Sequence, residues 1–460
     1  MLFMLISAAL AAPAVDELSA LTQAAGPVVG AVSCAPLDAV LDGLRGSAIL
    51  KGVLARPELQ EAGSALFRDL LDPTRTQGLG LDLQGSFSVV EAGGVETTRV
   101  SFSGTPAQAE ALLPDAKGSP WTAAGPAAWT HTADESRWTE AHLEASKLVM
   151  ARRSKRGGEA ALPFSPAVLA NLPHEAGCAA YLGQFPKTQK GPDLQALGLW
   201  IPMNSATPAI IQLRTASAPP AALRSPPRPP VGGTSRAHPL MVATFGTSIT
   251  DLLQDPAVIR GLHLEGKLPE AKDDRLRLEG GTTLALFAGG GRPRFVFVQP
   301  LNDARGRPIP SRKLKRLARR VLSDFDGELT SDTTFRFKWR SSLIFGAFSD
   351  GRVVAGTDEA AVEEAAQGIG EPWLSDDQSL WAQGHPLSAQ ARLEAPFLSE
   401  AINVRLGLSA QDTVWRTELQ VSGLPDLDQL PPGLLDALRM GLESSLQKQL
   451  APAAGPTSPQ

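Results

Sequence analysis

The sequence predicts an α+β fold of two related domains, each a mainly antiparallel sheet with helices packed on one face. Three observations predict it. Short apolar runs are joined by glycine turns, helical patterns are interspersed with them, and ordered blocks of the first half recur in the second. Glycine (43) and proline (38) are abundant, as suits short strands linked by turns. Such turns favour antiparallel pairing, because parallel strands need long crossover connections.

At the start of the chain, Met1 to Leu10 reads MLFMLISAAL. The run is too short to span a bilayer and matches the apolar core of a signal peptide. Ala12-Pro13-Ala14 fits the small-x-small rule for cleavage before Val15, with Ala9-Leu10-Ala11 as an alternative. No basic residue precedes the run, the first being Arg45, so a buried N-terminal helix is the competing reading. The mature chain is expected to be periplasmic or secreted, without a lipoprotein anchor or a transmembrane span. The expected order is a signal peptide (1–14), a first α+β domain (15–215), a proline-rich linker (216–239), a second domain (240–450) and a disordered tail (451–460).

A strand-then-helix block opens each half, PVVGAVSCAPLDAVLDGL from Pro27 and HPLMVATFGTSITDLL from His238. GSFSVVEAGG from Gly85 and GTTLALFAGG from Gly281 follow, each continuing into a second strand, and each reads as a hairpin. Lys147 to Ala151 in the first half answers Arg352 to Gly356 in the second. A repeat near 200 residues points to tandem domains, since solenoid repeats are shorter. Each half then appends a further small unit, beginning at Leu172 and at His385. Between the halves, Ala216 to Pro239 holds seven prolines and reads as an extended spacer. After Pro431-Pro432, Leu434, Leu438, Leu442 and Leu446 form one stripe of a C-terminal helix.

This arrangement resembles bacterial exported proteins of unknown function built from repeated α+β modules, in which a helix leads through Gly-Leu-Asp into a strand. Gly80-Leu81-Asp82 precedes the strand at Phe87, whereas Arg275 to Gly280 keeps the position without the motif. The resemblance implies no catalytic residue.

Composition excludes several functions. The net charge is −5, so no global field draws nucleic acid or membrane. Aromatic residues make up 5%, with one tyrosine, Tyr181, fewer than stacking platforms for nucleic acid or sugar use. No G-x-S-x-G occurs, Gly261 to Lys267 departs from the phosphate-loop spacing, and Ser445 to Lys448 lies on the edge of the last helix pattern. No two histidines have HxH or HExxH spacing. His174, Glu175 and His142 are the weak candidates for an enzyme site assembled only in three dimensions. The leading expectation is therefore a non-catalytic protein without cofactor or metal, whose partner is an envelope protein, an anionic polymer or a lipid.

Two features stand out. Cys34 and Cys178 are the only cysteines; both lie in apolar strand-like runs, and adjacent strands would let them pair in an oxidising compartment. Two buried thiols are the alternative. Arg292 to Arg320 contains ten basic residues and one acidic residue, Asp303, a net +9. Within it, Ser311 to Leu322 is an amphipathic helix pattern with Leu314, Leu317, Ala318, Val321 and Leu322 as its apolar stripe. Phe335 to Arg340 alternates aromatic and basic residues, which a strand sorts onto opposite faces. If the cationic strand face lies beside the helix, Arg312, Lys315, Arg316, Arg319, Arg336, Lys338 and Arg340 form an anion-binding patch. Alternatively, the acidic residues downstream of the helix pair with these cations on a solvated face.

Overall fold

The computed structural model describes residues 14–25, 27–46, 76, 78–113, 121–131, 138–154, 164–183, 194–203, 207–219, 221–224, 240–246, 277–278, 282–287, 294–302, 307–323, 326–339, 342–349, 351–367, 385–393 and 401–423. Residues 1–13 of the expected signal peptide, most of the expected linker, the expected C-terminal helix and tail, and Arg340 lie outside them. The chain forms two compact units, Met1–Arg214 with Ala395–Glu400 and Leu424–Gln460, and Thr215–Glu394 with Ala401–Gly423.

Unit 1 begins with α1 (Ala14–Ala24), β1 (Val28–Ala35) and α2 (Leu37–Gly46). The hairpin β2 (Phe87–Ala92) and β3 (Val95–Ser101) follows, with α3 (Pro106–Leu112) after it. Gly93 and Gly94, at φ 57° and 78°, make its two-residue turn, the backbone region that such turns demand. The remaining strands are β4 (Thr122–Gly125), β5 (Ala128–Thr130), β6 (Trp138–Glu144), β7 (Lys147–Arg153), β8 (Gly177–Leu182), β9 (Leu194–Pro202) and β10 (Ala209–Thr215). The spatial order is β4-β5-β6-β7-β3-β2-β1-β8-β9-β10, antiparallel at each pairing from β4 to β9.

In unit 2 the strands are β11 (Met241–Phe245), β12 (Arg277–Leu278), β13 (Thr282–Phe287) and β14 (Arg294–Asn302). Helix α4 (Ser311–Ser323) precedes β15 (Glu328–Leu329), β16 (Thr334–Trp339), β17 (Ser342–Ser349) and β18 (Arg352–Gly356). Helix α5 (Glu359–Ala366) precedes β19 (Leu387–Leu393), β20 (Ile402–Gln411) and β21 (Val414–Ser422). Their order is β15-β16-β17-β18-β14-β13-β11-β19-β20-β21, again antiparallel, with β12 on β14. Strand for strand, this is the order of unit 1.

The structure corrects the expected fold class. The protein is mainly antiparallel β, and strand residues far outnumber helical ones among the described residues. The helices are short patches on the sheet, and they lie on both of its faces. In unit 1, α1 packs with Ala31, Ala179, Tyr181 and Trp200, while α2 and α3 pack with Val100, Leu148 and Met150 on the other face. In unit 2, α5 packs with Val242, Val296 and Val354, and α4 packs with Phe335 and Phe348 on the opposite face. Two-sided cover is why β7 buries four consecutive residues, Leu148 to Ala151. A strand buried on both sides reads as a continuous apolar run without the alternation of a one-faced sheet. The further small units expected after Leu172 and His385 are not separate, because β8 pairs with β1 and β19 with β11 within the same sheets.

Candidate functional site

The basic segment folds as the helix its periodicity predicts. Leu314, Ala318 and Leu322 recur every fourth residue and pack on Phe335, Phe337 and Phe348. Leu314 is 2% exposed. Phe335 stacks on Phe348 with ring centroids 4.8 Å apart. Opposite this seam, Arg312, Lys313, Arg316 and Arg319 are exposed. Arg312, Arg316 and Arg319 stand at i, i+4 and i+7, one stripe along the helix. Lys315 leans off the stripe and pairs with Asp332 in the β15–β16 turn. The hydrogen bond and charge of Lys315, with a smaller contribution from Arg319, hold the Asp332 carboxyl below its ordinary range.

The strand half of the predicted patch goes elsewhere. Phe335 and Phe337 face α4, so alternation turns Arg336 and Lys338 to the other side of the sheet. There Arg336 lies opposite Glu328 of β15 and donates from Nε to its Oε1 at 2.6 Å. Helix α5 covers the same face and exposes Glu359 and Glu363. Arg312, Lys315, Arg316 and Arg319 thus share one helix, while Arg336 and Lys338 lie across the sheet from it. Arg340 is outside the described residues.

Cys34 and Cys178 are register partners on β1 and β8, with Cα atoms 4.1 Å apart and a disulfide joining them. Cys178 is therefore unavailable to the ligand cluster suggested by His174 and Glu175. His174 is exposed and lies 3.2 Å from Asp16. His142 sits on β6 opposite Val149. Among the described residues, no three His, Cys, Asp or Glu side chains are grouped to hold a metal ion.

A buried polar row, not visible in the sequence, runs across the α5 face of unit 2. Thr283, Thr244, Ser388, Gly407 and Glu418 are successive register partners on β13, β11, β19, β20 and β21. Thr244 and Ser388 are 1% exposed, and Gln390, two residues further along β19, is 2% exposed. The His385 ring lies against Gly407, between Ser388 and Glu418 in the row, where a Cβ would meet its Cδ2 at 2.5 Å. His385 Nε2 is 3.2 Å from Glu418 Oε2, and Arg416 Nε donates to Glu418 Oε1 at 2.8 Å. Burial pushes the Glu418 carboxyl up, but the hydrogen bonds and charges of His385 and Arg416 outweigh it and hold the group below its ordinary range. Among the described residues, Thr244 Oγ1, Ser388 Oγ, both amide atoms of Gln390 and His385 Nδ1 have no hydrogen-bond partner.

Sequence reasoning missed this row because its members are far apart along the chain. Arg416, Glu418 and Gln420 alternate as a solvent-facing strand edge would. The one signal was Gly407, which interrupts an otherwise substituted strand and marks a close approach. Comparison with protein-family models, curated proteins and solved structures gives no match for this chain.

Proposed function

We propose that this chain is an exported, non-catalytic protein of the bacterial cell envelope, periplasmic or secreted, that works through interaction surfaces on two units descended from one duplicated module. The Cys34–Cys178 disulfide carries this reading, because stable disulfides belong to oxidising compartments. The common strand order of the two units supports the duplication. Fractionation of the native host with thiol alkylation tests the proposal. The protein is expected outside the cytoplasm, beginning at Val15, with both cysteines protected until reduced. Cytoplasmic protein with two free thiols would overturn it, as would turnover of a hydrolase substrate abolished by one point substitution.

A second reading, binding of an anionic polymer or lipid headgroups, is favoured by the Arg312, Arg316 and Arg319 stripe. Among the described side chains of α4, the apolar ones, Leu314, Ala318 and Leu322, pack on the sheet and are not offered to a bilayer. Binding of this kind is purely electrostatic. Its signature is salt-sensitive retention on heparin or acidic liposomes.

A further inference from the structure

We propose that the α5 face of unit 2 carries a binding site for a small, uncharged, polyhydroxylated ligand, held by Thr244, His385, Ser388 and Gln390. These side chains meet on two neighbouring strands, β11 and β19, and the residue leading into β19. Thr244 and Ser388 are register partners, Gln390 follows Ser388 on the same face, and the His385 ring lies on Gly407 beside Ser388. Each is at least nine-tenths buried. Each also leaves at least one polar atom without a hydrogen bond among the described residues. Native proteins rarely tolerate such a group, and a cluster on one face calls for a partner that satisfies it.

The chemistry of the cluster selects the ligand. Hydroxyl, amide and imidazole groups can donate and accept, and a ligand hydroxyl matches all of them. The carboxylate of the row, Glu418, already has a counter-charge in Arg416. A charged ligand would bring an unmatched charge into a buried setting. Unit 1 serves as an internal comparison. Its equivalent row runs from Ser88 through Ser33 to Ala179 and Trp200. There Ala179 and a fully buried indole, both 0% exposed, stand where unit 2 has Ser388 and Gly407. Among the described residues of that row, Ser33 Oγ and Trp200 Nε1 are also unpaired, but a hydroxyl and an indole there replace the hydroxyl, amide and imidazole cluster of unit 2. The proposal does not depend on the α4 stripe or on export.

The test compares the full chain with the triple variant Thr244→Val, Ser388→Ala, Gln390→Leu, using D-glucose and myo-inositol as probes. Apolar groups of similar shape remove the unpaired atoms, so the variant is expected to fold and to melt no lower than the parent. At least one probe is expected to raise the parent's melting temperature and bind saturably by calorimetry. The variant is expected to lose at least tenfold in affinity. Absence of any shift in the parent with both probes would overturn the proposal, as would an equal shift in the variant.

Discussion

A Cβ added at Gly407 would sit 2.5 Å from Cδ2 of His385, so Gly407→Ala must move the ring that contacts Glu418. Overpacking of this kind costs about 1–3 kcal/mol, to be read from denaturant unfolding. Gly125→Ala is the control, since its nearest neighbour is Ala128 Cβ at 3.8 Å, and its midpoint should barely change. Glu418 itself makes stability depend on pH. Its folded pKa lies below the ordinary value of 4.5. The unfolded state therefore takes up protons first, so the contribution of this group is complete above that value and is lost as pH falls through the folded pKa. Glu418→Gln should flatten the acid limb of the stability curve, and a limb identical to the parent's would show that this carboxylate is not responsible. In the sequence Gly407 signals no more than a close approach, and Glu418 signals nothing. A glycine and an alternating charge are common in strands, and only register sets them beside His385.

At the scale of elements, α4 was legible as a helix, because Leu314, Ala318 and Leu322 repeat with helical spacing and Arg312, Arg316 and Arg319 stand on the other side. The side chains of Leu317 and Val321 lie outside the described ones. The alternation of β16 was legible too. What alternation cannot state is which strand face receives the helix. The aromatic face does, because burying Phe335 and Phe348 under Leu314 and Leu322 removes more apolar area from water than covering Arg336 and Lys338 would. The single patch inferred from sequence is therefore two separate surfaces. Charge reversal separates them. Arg312→Glu, Arg316→Glu and Arg319→Glu together should weaken retention on acidic liposomes by about a hundredfold or more, at about fivefold per cation. Arg336→Glu with Lys338→Glu should leave that retention unchanged. An equal loss from both sets would mean that no helix-specific stripe exists. Leu314→Ala probes the seam beneath, and should cost about 2–5 kcal/mol by denaturant unfolding.

For the whole molecule, the repeated hairpins and the strand-helix blocks were enough to predict antiparallel pairing in two units, but not the balance between sheet and helix. Helical signals in α1, α3 and α5 mark short covers, and two-sided burial gives β7 the apolar run of a buried element. Sequence weighed each signal once, whereas the fold extends its sheets strand upon strand. The two units also differ in one physical respect. Unit 1 carries a cross-strand disulfide between residues separated by 144 positions, whereas the matching positions on β11 and β19, Phe245 and Leu387, are joined only by the ladder. Loop-closure entropy in the unfolded chain makes such a link worth about 2–5 kcal/mol. Cys34→Ala with Cys178→Ala should therefore lower the stability of unit 1 by that amount. In hydrogen exchange, amides of β1 and β8 should lose protection while those of β11 and β19 keep theirs. Equal loss across both pairs would show that the units unfold as one cooperative block, with the disulfide acting on the entire chain.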